Sequence, residues 1–218
     1  IEEFVEAMEE VSGINLKQFR RWYKQSGTPV VNVQSSFDAE AKTYSLSFSQ
    51  SCPTTPGQSH KKPFVIPIKL GLVDAHGQDL PLNSQGDQSI VFSLYDNSQT
   101  LVFENIQQPP VPSLLRGFSA PIKLDYKYTS NQLAHLMAHD SDGFNRWDAG
   151  QKLSLLVLNR LIDDAKAKRE LVMDQQLITV FGELLKDHSL DPAMVNLMLQ
   201  LPSEAQLHEQ AETIYVDA

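Results

Sequence analysis

The chain has 218 residues, 41% of them hydrophobic and 21% charged, with a formal net charge of −9. That length exceeds the usual size of one domain and points to two modules, and the acidic balance excludes a nucleic-acid surface, because Arg20-Arg21 and Lys61-Lys62 are isolated pairs rather than a basic cluster. No apolar run reaches the roughly eighteen residues a membrane span needs, and the one cysteine, Cys52, has no partner for an intramolecular disulfide, which fits a reducing compartment, the cytoplasm.

Residues 1–28 read as helix. Phe4, Val5, Met8 and Val11 recur at helical spacing until Ser12-Gly13 interrupts them. Asn15 with Gln18 then predicts a capping box for a second helix, whose apolar face is Leu16, Phe19, Trp22 and Tyr23. Gly27-Thr28-Pro29 ends it, Gly by the left-handed conformation and Pro by blocking continuation. The chain opens on this charged pattern without the basic start and apolar run of a secretion signal.

From Pro29 the apolar period changes to two. Ten of the twelve prolines lie between Pro29 and Pro121, and because proline removes a backbone donor, that density marks strand edges and turns. Tyr44, Leu46 and Phe48 alternate with serines; Ile66, Ile68, Leu70 and Leu72 form another inward row, and Ile122, Leu124, Tyr126 and Tyr128 a third. Turn signals fall at Asp38-Ala39-Glu40, Ala75-His76-Gly77 and Asp96-Asn97-Ser98. About seven strands over about a hundred residues, joined by short turns, predict an antiparallel β-sandwich.

After Tyr128 the helical period returns. Trp147, Leu153, Val157 and Leu161 mark a long helix, Leu177, Phe181, Leu184 and Leu185 another, and Val195, Met198 and Leu199 a third opened by Asp191-Pro192; Ser203-Glu204 starts a fourth. Residues 129–218 carry 14 acidic against 7 basic side chains, which predicts a separate module with a solvated acidic face. Ile214 and Val216 are still apolar and no cap follows them, so this module is expected to be truncated at Ala218. The whole reads as mainly β then α: terminal helices over 1–28, a β-sandwich over 29–128 and an α-helical, repeat-like module over 129–218.

Three groups of residues carry chemistry worth weighing. His135 and His139 are four apart on an expected helix, so both imidazoles share a face as in a zinc site. A zinc peptidase places Glu directly after the first His as general base, and Leu136 stands there, so surface histidines are the simpler reading. His208-Glu209-Gln210-Ala211-Glu212 begins like the peptidase motif, but Glu212 occupies the place of its second His. Cys52 lies in a loop-like Ser-Cys-Pro-Thr-Thr-Pro segment with no adjacent His to activate it. The sequence has no Gly-x-Ser-x-Gly, no phosphate-binding loop and no paired-cysteine spacing.

Three blocks in order carry a resemblance. Phe19-Arg20-Arg21-Trp22-Tyr23-Lys24-Gln25-Ser26-Gly27-Thr28-Pro29 resembles the junction at which bacterial aminopeptidase N chains leave the catalytic domain. Pro112-Ser113-Leu114-Leu115-Arg116-Gly117-Phe118-Ser119-Ala120-Pro121 and Asp142-Gly143-Phe144-Asn145-Arg146-Trp147-Asp148-Ala149 are similar to the end of that family's sandwich and the start of its helical domain. The resemblance implies a fragment running from the end of the catalytic domain, through the sandwich, into the C-terminal helices of a zinc metallopeptidase that removes N-terminal residues from peptides. The family's Gly-x-Met-Glu-Asn loop, His-Glu-x-x-His helix, remaining zinc-binding Glu and catalytic tyrosine have no matching positions here. The expectation is therefore that this chain holds no catalytic, metal-binding or substrate-binding residue, takes no zinc and contributes architecture.

Two other readings stay open: an independent sandwich module that recruits a protein partner through a strand edge, and a small metal-dependent hydrolase using His135 and His139. The apolar helix faces of the last module also predict self-association of this length of chain.

Overall fold

The computed structural model describes residues 1–210. The chain divides into two compact units, and the division passes within one strand, between Leu70 and Gly71.

The first unit comprises Ile1–Leu70, Leu82–Pro109 and Phe118–Lys127. Helix α1 (Glu2–Ser12) ends at Gly13, whose φ of 67° lets its N–H reach the Glu9 carbonyl. Strands β1 (Val30–Asp38) and β2 (Thr43–Ser51) pair antiparallel along their whole length, from Val30 opposite Ser51 to Asp38 opposite Thr43. The alternation in β2 has the expected consequence: Tyr44, Leu46 and Phe48 are buried, while Ser47 and Ser49 are exposed. Strands β3 (Ile66–Val73) and β4 (Ile90–Leu94) pair antiparallel, and β5 (Ser98–Phe103) adds to β2 in the same sense. With β6 (Val111–Leu114) and β7 (Lys123–Asp125), the strands form one sheet in the order β5-β2-β1-β7 and a second in the order β4-β3-β6. Between Phe48 of one sheet and Phe92 of the other the ring centroids are 4.7 Å apart. Gln50, the polar residue at an inward position of β2, is fully used: Nε2 donates to the carbonyls of Phe64 and Asp96 at 2.9 Å each, and Oε1 accepts from the Phe64 amide at 2.7 Å.

Two local expectations change here. The alternation from Ile122 to Tyr128 yields only the three-residue β7, which runs parallel to β1 rather than antiparallel. Asn32 fixes it by donating to the Asp125 carboxylate at 3.0 Å, and Tyr126 then turns its hydroxyl to Ser35 at 2.9 Å. The capping box at Asn15 and Gln18 does not form. Asn15 Oδ1 accepts from the Lys17 amide and not from that of Gln18, residues 17–20 are turns, and helix α2 is reduced to Arg21–Lys24. Gln18 instead donates to the carbonyls of Pro63, Phe64 and Tyr95, Trp22 Nε1 to Val65 at 2.9 Å, and Arg21 to Pro63. Long-range partners for backbone carbonyls outcompete the local cap.

The second unit comprises Gly71–Pro81, Pro110–Gly117 and the chain from Tyr128 onward. Helix α3 (Ser130–His139) opens with a capping box that does form, Thr129 accepting from the Gln132 amide and Gln132 from the Thr129 amide. Helix α4 (Gly143–Lys166) is capped by Asp142, α5 (Gln175–Lys186) by Asp174, and α6 (Pro192–Met198) by Asp191 with proline in its first turn. Helix α7 (Glu204–Gln210) follows. The core of this unit is Leu133, Met137, Leu153, Leu177, Leu184 and Met198, all buried together with Val73 from β3. No helix among the described residues is long and apolar enough to cross a membrane.

Candidate functional site

Helix α3 places His135 and His139 on one face, with ring centroids 4.9 Å apart. They line an open cleft of about 400 Å³ together with Asn131, Gln176, Thr179 and Glu183. The pair is not arranged as a ligand set. His135 Nε2 lies 2.7 Å from the Asp74 carbonyl, an oxygen that only accepts, so the geometry assigns the proton to Nε2. His139 lies under the Asp74–Gln78 turn, where a Cβ on Gly77 would come within 2.5 Å of its ring. Burial pushes the His139 imidazole below its ordinary value, and His135 and Arg146 add to that while Glu183 opposes it. Among the described residues no group of three or more His, Cys, Asp or Glu is placed to hold a metal. With Leu136 where a general base belongs and one imidazole engaged by a carbonyl, these residues do not fit a catalytic zinc.

The other sequence candidates are scattered. His208 and Glu209 are exposed on α7, and Glu212 lies outside the described residues. Cys52 is a free, half-buried thiol whose nearest polar partner is the Ser26 carbonyl at 3.7 Å.

The unexpected centre is Arg116. Three residues around it, Leu115, Gly117 and Phe118, have φ of 59°, 61° and 53°, a run of left-handed backbone that non-glycine residues adopt only when the surroundings compel it. That bend carries the Arg116 side chain inward, where it is 3% exposed. Its guanidinium donates to Asp79 at 2.6 Å, to Asp140 at 3.1 Å and, through Nε, to Ser113 Oγ at 2.8 Å. Ser113 Oγ also accepts from Asn145 Nδ2 at 2.8 Å, and the same amide reaches the Leu114 carbonyl at 3.0 Å. Ser141 donates to Asp79, and the Asp142 amide donates to Asp140 Oδ1 at 3.0 Å. Gly71 covers the guanidinium so closely that any Cβ there would collide with it. Arg146 completes the cluster by donating to the Met137 and Ala138 carbonyls at 3.0 and 2.7 Å, which satisfies the end of α3.

Burial pushes the Asp140 carboxyl above its ordinary range, against the pull of Ser113, the Asp142 amide and the Arg116 charge. Its Oδ2 has no hydrogen-bond partner among the described residues. A buried guanidinium between two carboxylates offers no nucleophile and no open face for a substrate. It ties Gly71–Pro81, Pro110–Gly117 and the α3–α4 junction into one body. As separate positions, Asp79 and Asp140 carry no sequence signal. The signal for the others is that Ser113 and Arg116 sit in one family-like block and Asn145 and Arg146 in another.

Both blocks fall within regions that known proteins share. Residues 27–127 match a family model described as a domain of unknown function with an Ig-like fold, DUF3458, and residues 130–218 match its companion, described as ARM repeats. The chain is 38% identical over 214 residues to aminopeptidase N of Escherichia coli (strain K12), covering 98% of this chain and 25% of that protein. It is 37% identical over 217 residues to aminopeptidase N of Haemophilus influenzae. The chain belongs to the aminopeptidase N family. Aminopeptidase N of Caulobacter vibrioides is 40% identical over 209 residues. Among solved structures, Legionella pneumophila aminopeptidase A in complex with aspartic acid superposes with a TM-score of 0.80 at 30% identity, over 97% of this chain and 23% of that one. The chain thus spans about a quarter of the length of its aminopeptidase N relatives.

Proposed function

We propose that this chain is a non-catalytic scaffold of a zinc-dependent aminopeptidase, a hydrolase that removes N-terminal residues from peptides in the cytoplasm. On this reading residues 1–28 are the last helices of the catalytic domain, 29–128 the bridging sandwich and 129–218 the start of the C-terminal helical domain. Zinc and the peptide substrate belong to the parent's catalytic domain, and no residue of this chain binds either. The observation that carries the proposal is the Arg116 cluster: two of the three family-like blocks are spent on a buried joint, with Arg116 reaching Asp140 and Asn145 reaching Ser113, and not on an accessible site. The alternative hydrolase would need a third ligand beside His135 and His139, and Leu136 leaves it without a base. Exposed apolar residues including Leu171, Val172, Met173, Leu185 and Leu201 support self-association of this length of chain.

Elemental analysis after dialysis, an aminoacyl-anilide assay with added zinc and light scattering on the purified chain test all of this together. The expected result is no stoichiometric zinc, no release of the anilide and a mass above that of a monomer. One tightly held zinc per chain, with turnover lost in His135→Ala, replaces the scaffold by the hydrolase, and a strict monomer removes the self-association.

A further inference from the structure

The four-stranded sheet of the first unit, ordered β5-β2-β1-β7, has two unlike edges. At one, β7 is three residues long and two of them are the charged Lys123 and Asp125, the ordinary way of blunting an edge. At the other, β5 is six residues long and carries no charge, proline or glycine: Ser98-Gln99-Thr100-Leu101-Val102-Phe103. We propose that β5 docks a second copy of this chain, the two β5 strands pairing antiparallel about a two-fold axis at Leu101.

The hydrogen-bond phase of β5 follows from its partner. The Gln50 amide donates to the Asn97 carbonyl at 2.8 Å, one step beyond the pairing of Ser49 with Ser98. Opposed residues in an antiparallel ladder alternate between bonded and unbonded pairs. Gln99, Leu101 and Phe103 therefore turn their N–H and C=O groups to β2, and Ser98, Thr100 and Val102 turn theirs to the open edge. Among the described residues no strand, and no backbone group of a turn or loop, takes up those outward groups. Ser98 and Thr100 are exposed and Val102 is 58% exposed, so the edge lies open to a partner. A row of donors and acceptors along extended backbone fits one kind of partner, another extended strand.

The strand also specifies its mate. Gln99, Leu101 and Phe103 are the more buried positions and Ser98, Thr100 and Val102 the exposed ones, so a one-residue slip would exchange the two faces. With the axis at Leu101, the outward groups of Thr100 meet those of Val102 of the second copy. On the inner face Leu101 packs on its own counterpart and Gln99 on Phe103 of the second copy, which continues one sheet across both copies. Moving the axis to Thr100 keeps the faces but sets Asp96 against Glu104 of the second copy, two carboxylates directly opposed. With the axis at Leu101, Glu104 faces Ser98 instead. A second copy thus supplies the same length, the same alternation and a register free of opposed charge. This surface is separate from the apolar helix faces of the other unit and holds whether or not those associate.

The test is residue-resolved amide exchange of the full chain at about 10 µM and about 1 mM. Protection at Thr100 and Val102 is expected to rise by about tenfold or more with concentration, whereas Gln99 and Leu101, bonded to β2, are protected at both. Thr100→Pro deletes an outward N–H that donates nothing to β2 and is expected to abolish the rise at Val102. Leu101→Cys combined with Cys52→Ser is expected to give a disulfide-linked dimer on mild oxidation, because an unbonded pair at the axis brings the Cα atoms to about 4.5 Å. Protection that ignores concentration, a rise that persists in Thr100→Pro, or failure of Leu101→Cys to link overturns the proposal. A rise produced by an alternating Val-Thr peptide, and not by the chain's own concentration, assigns the edge to a foreign strand and overturns the second copy. A rise confined to α4 and α5 also overturns it and leaves the helix-face association standing. The concentration series of the unaltered chain decides the matter if Thr100→Pro does not fold.

Discussion

Leu46, in β2, is completely buried between the inward Tyr44 and Phe48 of the same strand, whereas Arg116, at the bend after β6, is buried among two carboxylates, a hydroxyl and a glycine. Burial of Leu46 is driven by removing apolar surface from water and tolerates other apolar side chains of similar volume. Burial of Arg116 is costly and becomes stable only because all three of its nitrogens find acceptors in fixed geometry. The first kind of interior holds a sheet together. The second selects one arrangement of three chain segments that are distant in sequence, which is the requirement of a joint in a scaffold.

Removing one partner from each interior separates these cases. Arg116→Ala leaves Asp79 and Asp140 facing each other without a counter-charge, and the expected loss is the largest, about 4 kcal/mol in urea unfolding. Leu46→Ala removes apolar contacts and leaves a cavity, with an expected loss of about 3 kcal/mol. The two differ further in repair. Leu46→Met should recover most of the stability because volume and polarity are nearly kept, whereas Arg116→Lys should recover little, because an ammonium cannot address Ser113, Asp79 and Asp140 through a planar fork. A fully stable Arg116→Lys would show that the charge alone suffices and the geometry does not matter.

The sequence is most readable where the determinant is local. The serines that alternate with Tyr44, Leu46 and Phe48 set one face of β2, and Asp142, Asp174 and Asp191 cap helices near where the apolar period predicts their starts. It is least readable where the partner is distant. Gln18 has the right spacing for a cap, yet its amide is taken by carbonyls 45, 46 and 77 residues away. The parallel pairing of β7 depends on Asn32 meeting Asp125 across 93 residues. Arg116 reaches Asp79 and Asp140 across 37 and 24 residues, and no periodicity encodes such a meeting. The histidine pair was visible as a spacing, but its role was not, because the Asp74 carbonyl that engages His135 lies 61 residues upstream.

The central claim is that Arg116 fixes the body formed by Gly71–Pro81, Pro110–Gly117 and the α3–α4 junction, independently of the sandwich strands β1 and β2. Hydrogen-exchange mass spectrometry of the Arg116→Met chain tests it most directly. The account predicts faster exchange in peptides covering residues 71–81, 110–117 and 137–146, with β1 and β2 as protected as in the unaltered chain. Equal acceleration across β1 and β2, or no change in any of the three segments, would contradict it.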